Sequence, residues 1–343
     1  MKMTFRWYGE NDPVPLSSIR QIPGMSGIVS AVYDTPVGEV WSRESIARLR
    51  EQAESNGLEL EVVESVPVHE EIKLGGPEAP RYIANYCENL RRLGEAGVKV
   101  VCYNFMPVFD WLRSELNRAL PDGSHALAYD EAAVLAMDPA RGGLSLPGWD
   151  ESYTPEGLRA LLARYATLDA EGLWENFAAF LRETVPAAEE AGVRLAIHPD
   201  DPPWGIFGLP RIITGAESVR RMFSIVDSPS NGLTLCTGSL GANPENDLPG
   251  MAEEFARRIP FVHLRNIRIT GPRCFEEAPH PTACGSLDMY AIVRALVRGG
   301  FDGHVRPDHG RMIWGETGRP GYGLYDRALG AAYLTGLFEA ASV

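Results

Sequence analysis

Short runs of consecutive apolar residues alternate along the chain with longer stretches in which apolar residues recur at helical spacing. A continuous apolar run is typical of a strand that is covered on both faces, as in a parallel sheet. Eight such runs are predicted as strands: 4–9, 27–34, 58–65, 98–105, 193–200, 232–238, 261–266 and 304–310.

The stretches between these runs have the apolar spacing of helices. The first long one begins at a capping serine, Ser42, and ends at Gly57, whereas Pro186 predicts a kink in the third. The connection 15–23, after the first strand, is short and only weakly helical. The predicted helices are 42–57, 81–98, 174–193, 216–228, 246–259, 287–300 and 325–342.

Strand–helix units in series predict an α/β protein with a closed (β/α)8 TIM barrel, formed by residues 1–343 as a single domain. A doubly wound open sheet is the alternative, but its first strand is usually followed by a glycine-rich turn, and here that turn reads YGENDPVP. Residues 106–170 interrupt the period after the fourth strand and are rich in Pro, Gly and polar residues. They are predicted to form a helical and loop excursion at the barrel mouth, not a separate domain.

The net charge and the cysteine content restrict the kinds of binding partner and the cellular compartment that are expected for this protein. The chain has 46 acidic and 32 basic residues and a net charge of −14, which argues against a nucleic-acid or anionic-membrane partner. Its 5 cysteines contain no CxxC pair, and neither an apolar signal segment nor an apolar run long enough to span a membrane occurs. These features predict a cytoplasmic protein with free thiols.

Potential metal ligands stand at the ends of four successive predicted strands. These are His198, Cys236, His263 and Asp308, about one strand–helix unit apart. Because barrel active sites lie at the carboxyl ends of the strands, we expect the four side chains to converge. The thiolate disfavours Mg²⁺ and Ca²⁺, so the residues themselves leave Mn²⁺, Fe²⁺, Co²⁺ and Zn²⁺ open.

Distinctive motifs occur over nearly the whole chain. They include MKMTFRWYGENDPV, SGIVSAVYDTPVGEVW, VKVVCYNFMPVFDW, HPDDPPWGIFGLPRI, NGLTLCTGSLGANPENDLP, FVHLRNIR, VRPDHGRM and RPGYGLYDRALG. These motifs resemble those of the mannonate dehydratase family, metal-dependent enzymes with a xylose-isomerase-like barrel. The resemblance implies Mn²⁺ or Fe²⁺ held by the four residues above. It also implies conversion of D-mannonate to 2-dehydro-3-deoxy-D-gluconate and water in hexuronate (glucuronate) breakdown.

One segment, 274–289, departs from the family pattern. Phe275, Glu277 and His280 fit it, but two extra residues separate His280 from Asp288, and Pro281 stands where the family has an apolar residue. If this loop contacts the substrate, the pocket is expected to differ in shape from that of the family.

The implied reaction is the β-elimination of water from a dihydroxy acid, which needs a base for the C2 proton and an acid for the departing C3 hydroxyl. His309, next to Asp308, and Tyr322, in the PGYG segment, are the candidates for these two proton transfers. The sequence leaves open which of them is the base. It also leaves open a purely structural role for either.

Four further residues are candidates for binding the substrate. Arg265 follows His263 by two residues, so strand alternation puts both on one face, where the guanidinium could clamp a carboxylate. Arg306 is placed similarly before Asp308, Asn104 ends the fourth strand, and His280 lies in the departing segment. Weaker candidates are Arg6, Trp7 and Glu64.

Two rival functions remain at this stage: a sugar isomerase or epimerase on the same barrel, and a silent or weakly active sugar-acid-binding homologue. A strand-end set that contains a cysteine and no glutamate counts against the isomerase. The resemblance implies a small-molecule sugar acid as substrate, and barrels of this kind predict a homodimer or homotetramer.

Overall fold

The protein is described by a computed structural model that covers residues 1–139 and 153–342. Eight parallel strands close into a barrel in the order β1-β2-β3-β4-β7-β8-β9-β12, which confirms the predicted TIM barrel. Each barrel strand falls within or overlaps a predicted run. The strands are β1 Lys2–Arg6, β2 Met25–Ser30, β3 Glu59–Glu64, β4 Val100–Tyr103, β7 Arg194–Ile197, β8 Asn231–Cys236, β9 Phe261–His263 and β12 His304–Arg306.

The helices of the described residues surround the barrel or cover its mouth. Ser42 caps α2 by accepting the Ser45 amide at 3.0 Å, and α7 runs through Pro186 to a left-handed Gly192. The helices are α1 Leu16–Ile19, α2 Arg43–Ser55, α3 Glu70–Lys73, α4 Ala79–Glu95, α5 Glu131–Leu135, α6 Pro155–Tyr165, α7 Ala170–Ala191, α8 Ala216–Ile225, α9 Thr237–Gly241, α10 Leu248–Phe255, α11 Met289–Arg298 and α12 Tyr325–Ala341. Within this part of the chain, none is both long and apolar enough to cross a lipid bilayer.

A second, four-stranded antiparallel sheet was not predicted. Its order is β10-β11-β6-β5, with β5 Glu115–Ala119, β6 His125–Asp130, β10 Asn266–Gly271 and β11 Cys274–Ala278. The excursion after the fourth barrel strand therefore contains two strands as well as α5 and α6. β5 pairs with β6 as one hairpin, and β6 pairs with β11 of a second hairpin that follows β9. The pairing that joins the two hairpins is remote in sequence, so no local pattern indicated it.

Aromatic packing joins the two halves of this second sheet. Phe275 of β11 lies opposite Tyr129 of β6, and their rings stack at 5.4 Å between centroids. Trp204, which follows β7, meets the Tyr129 ring at 5.6 Å, edge to face, and donates its indole N–H to the Tyr129 hydroxyl. Such contacts between large buried rings stabilise the sheet beyond the area that they bury.

The barrel interior is a core packed with side chains. The candidate site residues lie at the mouth of the barrel. A small cluster of buried residues, contributed by five of the strands, forms this filling, and a larger apolar layer separates the strands from the surrounding helices. The interior cluster consists of Val29, Val62, Val100, Cys102, Ala196 and Phe261.

The crossing of α4 and α7 depends on a glycine. A Cβ placed on Gly94, in the last turn of α4, would overlap the carbonyl oxygen of Ala191 at the end of α7. Backbone cannot move aside as easily as the tip of a side chain, so the two helices can approach this closely only where one of them lacks a Cβ.

We predict that Gly94→Ala lowers the free energy of unfolding by about 1–3 kcal/mol, the usual cost of overpacking. Gly336→Ala, on the exposed side of α12, is the control, because its added Cβ meets no atom of the described chain within 4 Å. That substitution should instead stabilise the helix by about 0.5–1 kcal/mol. Denaturant unfolding of both variants measures the difference, and equal shifts would contradict the prediction.

Candidate metal centre and active site

The four predicted ligands lie where neighbouring barrel strands end. Cys236 and His263 are the last residues of β8 and β9 and pair directly across the sheet. His198 follows β7 by one residue, and Asp308 follows β12 by two. The parallel register thus brings residues that are far apart in sequence to one end of the barrel.

Their donor atoms are close enough to share one ion. The donor atoms of His198, Cys236 and His263 all lie within 4.8 Å of one another. The Asp308 carboxylate approaches the Cys236 Sγ and the His263 Nδ1, each at 3.7 Å. Nitrogen and sulfur donors bind a divalent ion at about 2.0–2.3 Å, so two donors of one ion lie at most about 4.6 Å apart, and shifts of a few tenths of an ångström bring all of these donors within that limit.

A buried nitrogen atom of His263 is also consistent with a bound cation. The His263 Nε2 is inaccessible to solvent and, within the described residues, makes no hydrogen bond. It lies 3.5 Å from a carboxylate oxygen of Glu64, the last residue of β3. The set of two imidazoles, a thiolate and a carboxylate therefore fits a divalent transition metal.

The electrostatics of the site favour the anionic ligands. Burial by itself would raise the pKa of Cys236, but Arg265 and His198 lower that pKa well below its usual value. The Ser239 hydroxyl donates a hydrogen bond to the Sγ at 3.0 Å. Burial would lower the pKa of His198, but the charge of Cys236 raises it to about 9. A metal ion would take the place of that imidazole proton.

Arg265 is placed differently from the substrate clamp that the sequence suggested. Its guanidinium contacts a carboxylate oxygen of Asp201 at 2.7 Å and one of Asp308 at 2.8 Å, and it also bonds to Glu277. Arg113, from the excursion, holds the same Asp201 through two hydrogen bonds of 2.9 and 3.0 Å. We call these five residues, Arg113, Asp201, Arg265, Glu277 and Asp308, the buried ionic cluster.

A cavity of about 150 Å³ opens in front of the candidate metal centre. It brings together the predicted residues His198, His309, Tyr322, Asn104 and Arg306. Its lining, taken over the described residues, does not include Arg265 or His280, and of the four predicted ligands it includes only His198. The lining residues are Arg6, Tyr8, Glu64, Ser65, Cys102, Tyr103, Asn104, Met106, Asp110, Trp111, His198, Asp201, Arg306, His309, Arg319 and Tyr322.

Three arginines, Arg6, Arg306 and Arg319, line this cavity together with the carboxylates of Glu64, Asp110 and Asp201. We call the three arginines the arginine wall, and the sequence analysis missed one of them, Arg319. The guanidinium of Arg319 lies over the Tyr8 ring at 4.0 Å, and that of Arg6 lies at 4.5 Å from the same ring. Arg306 pairs with Glu64 at 3.0 Å. Arg319 directly precedes the PGYG segment that holds Tyr322, which was the signal that could have identified it.

The two proton-transfer candidates lie side by side. The rings of His309 and Tyr322 are 5.1 Å apart, and Trp111 lies against the His309 ring at 4.4 Å. Burial raises the pKa of Tyr322 well above its usual value, so its phenol keeps its proton at neutral pH. From the sequence, Trp111 is interpreted as a packing or subunit-contact residue and not as a site residue, although it ends one of the family-like segments.

His280 lies in the protein interior behind the active site. It is 2 % exposed, and its Nε2 lies 2.7 Å from the carbonyl oxygen of Pro307, next to Asp308. A Cβ on Gly330 of α12 would overlap the His280 ring. Asn104 accepts the Met106 amide at 3.2 Å while it lines the cavity, and Trp7 is buried in the core.

The departing segment 274–289 contributes no residue to the cavity lining among the residues described. Its loop folds into a short 3-10 turn, Thr282–Cys284, and the Asn266 side chain donates to the Pro281 carbonyl at 3.0 Å. The segment therefore acts on the site through Glu277 and His280. Its two extra residues lie outside the pocket.

The fold and the site together define a class, the (β/α)8-barrel enzymes with a candidate metal centre at the strand ends. The family model described as D-mannonate dehydratase (UxuA) matches residues 1–343. The chain belongs to the D-mannonate dehydratase family, and the predicted resemblance is confirmed.

Similar proteins share nearly the full length of the chain. The mannonate dehydratase of Streptococcus uberis is 56% identical over 342 residues, which cover 99% of this chain and 98% of that protein. Mannonate dehydratase 2 of Halalkalibacterium halodurans is 55% identical over 344 residues, which cover both chains fully.

Solved structures agree with this assignment. The crystal structure of mannonate dehydratase from Streptococcus suis serotype 2 matches with a TM-score of 0.93 and 50% identity, covering 99% of this chain and 95% of that one. A D-psicose 3-epimerase from Clostridium cellulolyticum matches with a TM-score of 0.58, covering 99% of this chain and 96% of that one. At 16% identity this second likeness shows the barrel fold alone.

We predict that Cys236→Ser lowers the metal content of the purified protein at least tenfold, because the site loses its thiolate donor. Metal analysis after dialysis against a weak chelator measures this content. Cys274→Ser is the matched control, since Cys274 lies on β11 outside the cavity lining, and it should retain the wild-type metal content. Equal metal content in the two variants would contradict the assignment of Cys236 as a ligand.

Proposed function

We propose that this protein is a metal-dependent dehydratase that converts D-mannonate to 2-dehydro-3-deoxy-D-gluconate and water in hexuronate breakdown. The family match over the whole chain is the observation that carries the proposal. The cavity supports it, because three arginines and several hydroxyl, amide and imidazole groups suit a small, polyhydroxylated anion.

The metal is proposed to be Mn²⁺ or Fe²⁺, held by His198, Cys236, His263 and Asp308. When bound, such an ion offsets the negative charge that develops on the substrate oxygens as the C2 proton leaves. The thiolate and the two imidazoles in the donor set support a transition metal over Mg²⁺, which prefers oxygen ligands.

The substrate is proposed to enter with its carboxylate towards the arginine wall. Arg306 and Asn104 keep the binding role expected from the sequence, and Arg6 and Arg319 join them, because all four line the cavity. Arg265 and His280 are instead proposed to hold the ligand Asp308 in place, since one contacts its carboxylate and the other the carbonyl before it.

His309 and Tyr322 are proposed to divide the proton transfers. The phenol of Tyr322, with its raised pKa, is the proton donor for the departing C3 hydroxyl. His309, whose ring lies 5.1 Å from that phenol, removes the C2 proton. The enol that is formed then tautomerises to the ketone of the product.

The protein is further proposed to act in the cytoplasm as a homodimer or homotetramer. Its cysteines are free among the described residues, as expected in a reducing compartment. Trp314, Tyr325 and Leu329 are apolar and exposed, and the rings of the first two are 5.5 Å apart, which supports a contact with a second copy there.

The test is turnover of D-mannonate by protein that has been stripped with a chelator, reduced, and reloaded separately with Mn²⁺, Fe²⁺, Co²⁺, Zn²⁺ or Mg²⁺. We expect formation of the 2-keto-3-deoxy acid with Mn²⁺ or Fe²⁺. His309→Asn and Tyr322→Phe should each lower kcat by about 10²–10⁴-fold, the usual contribution of a general acid or base.

His125→Gln serves as the control, because His125 begins β6 outside the cavity lining, and it should turn over like the wild type. Absence of product with every metal, from folded and metal-bound protein, would refute the proposed function. Full activity of His309→Asn would refute the role given to that residue.

A further inference from the structure

The hairpin β10–β11 reaches the active site through one carboxylate. Glu277 lies on β11, opposite Ile267 of β10, and is 1% exposed. Its Oε1 lies 3.3 Å from the His309 Nδ1 and 3.0 Å from the Arg113 guanidinium, and it also bonds to Arg265. One oxygen atom therefore joins the second sheet to the imidazole proposed to remove the C2 proton.

Glu277 can only accept a proton from that imidazole nitrogen. Burial by itself would raise the pKa of Glu277, but Arg265, the hydrogen bond with His309, and Arg113 lower it to about 2. An ionised carboxylate has no hydrogen to donate. The hydrogen atom between Oε1 and Nδ1 must then belong to the imidazole.

Among the residues that the structure describes, the other imidazole nitrogen makes no hydrogen bond. The His309 Nε2 lies 3.6 Å from the nearer Asp308 oxygen, which is longer than a hydrogen bond. His309 lines the cavity, and the rings of Trp111 and Tyr322 lie against it at 4.4 and 5.1 Å. These contacts limit rotation of the ring, so Nδ1 and Nε2 cannot exchange places freely.

We propose that Glu277 is a positioning residue for His309: it accepts the Nδ1 proton and so leaves Nε2 unprotonated and directed towards the cavity. This inference deepens the proposed function and rests on it, because a base must present a free lone pair to the C2 hydrogen. Glu277 itself contacts no substrate and acts through the imidazole.

The buried ionic cluster fixes the position of Glu277 in turn. Arg113 comes from the excursion after β4, and Arg265 follows β9, so the carboxylate is held from two separate insertions. Both guanidinium groups are anchored a second time on Asp201. The second sheet therefore has a role in the proposed reaction. Its hairpin carries the Glu277 carboxylate, which determines which imidazole nitrogen of His309 is protonated.

Three variants separate the hydrogen-bond acceptor from the negative charge. Glu277→Gln loses the charge but keeps an amide oxygen, which the two arginines attract to the Oε1 position. Glu277→Leu loses both. Glu276→Gln is the matched control, because Glu276 lies on the opposite face of β11 and pairs with Arg268 and Arg118 at 3.5 and 3.9 Å.

The first readout is the tautomer of His309, which does not depend on turnover. Zn²⁺-loaded protein labelled with ¹⁵N-histidine is examined by long-range ¹H–¹⁵N NMR, and the His309 signals are assigned by their loss in His309→Asn. We expect the proton on Nδ1 in the wild type, Glu276→Gln and Glu277→Gln, and a mixture of tautomers in Glu277→Leu. A wild-type proton on Nε2 would overturn the proposal, even if Glu277→Leu failed to fold.

The second readout is the kinetics of D-mannonate turnover by Mn²⁺-loaded variants of equal metal content. We expect kcat to fall about 10²-fold in Glu277→Leu with KM within about threefold, and to recover to within about tenfold of the wild type in Glu277→Gln. Equal losses in the Gln and Leu variants would show a role of charge alone and overturn the proposal. If the wild type turned over no mannonate, the proposed function would fail, while the tautomer would still decide the role of Glu277.

Discussion

The active site depends on one buried guanidinium. Arg265 lies between the carboxylates of Asp201, Glu277 and Asp308, and its terminal nitrogen is 3.9 Å from the Cys236 Sγ. Each of these groups would be too costly to bury as an anion if it were alone, because removing a charge from water costs several kcal/mol. Shared pairing with Arg265 allows several negative groups to remain charged at the barrel mouth. Gly238 leaves the room for this side chain, since a Cβ there would overlap the guanidinium.

The parts of the molecule that the sequence predicted are those with local or periodic signals. The barrel strands are continuous apolar runs, and the candidate ligands were predicted from their positions at the ends of such runs, one unit after another. Cys236 and His263 were placed together for this reason, and they are paired residues in the sheet. His309 and Tyr322 were predicted from short motifs, one next to the candidate ligand Asp308 and one in a loop, and the structure brings both to one cavity.

The remaining parts depend on contacts between distant segments, which no local pattern carries. The second sheet was missed because the pairing at its centre, β6 with β11, joins strands that are more than a hundred residues apart. The β5–β6 hairpin is local, but the sequence analysis assigned its residues to a helical and loop excursion. Arg265 was assigned to the substrate because strand alternation gives the face of a residue and not the groups opposite it. Those groups are Asp201, from the β7 end, and Glu277, from the hairpin. His280 was expected in a loop at the mouth, and only the packing of α12 against it explains its burial.

The pairing of β6 with β11 has a consequence for how this barrel can be altered. Loops of TIM barrels are usually treated as independent attachments to a constant scaffold, so that each can be exchanged without the others. Here the insertion after β4 and the insertion after β9 share one sheet and one set of buried charges. Transplanting either loop alone into a related barrel would leave an open strand edge and an uncompensated charge inside the protein. The two insertions therefore form a single structural module, and an engineered exchange of barrel loops must move them together.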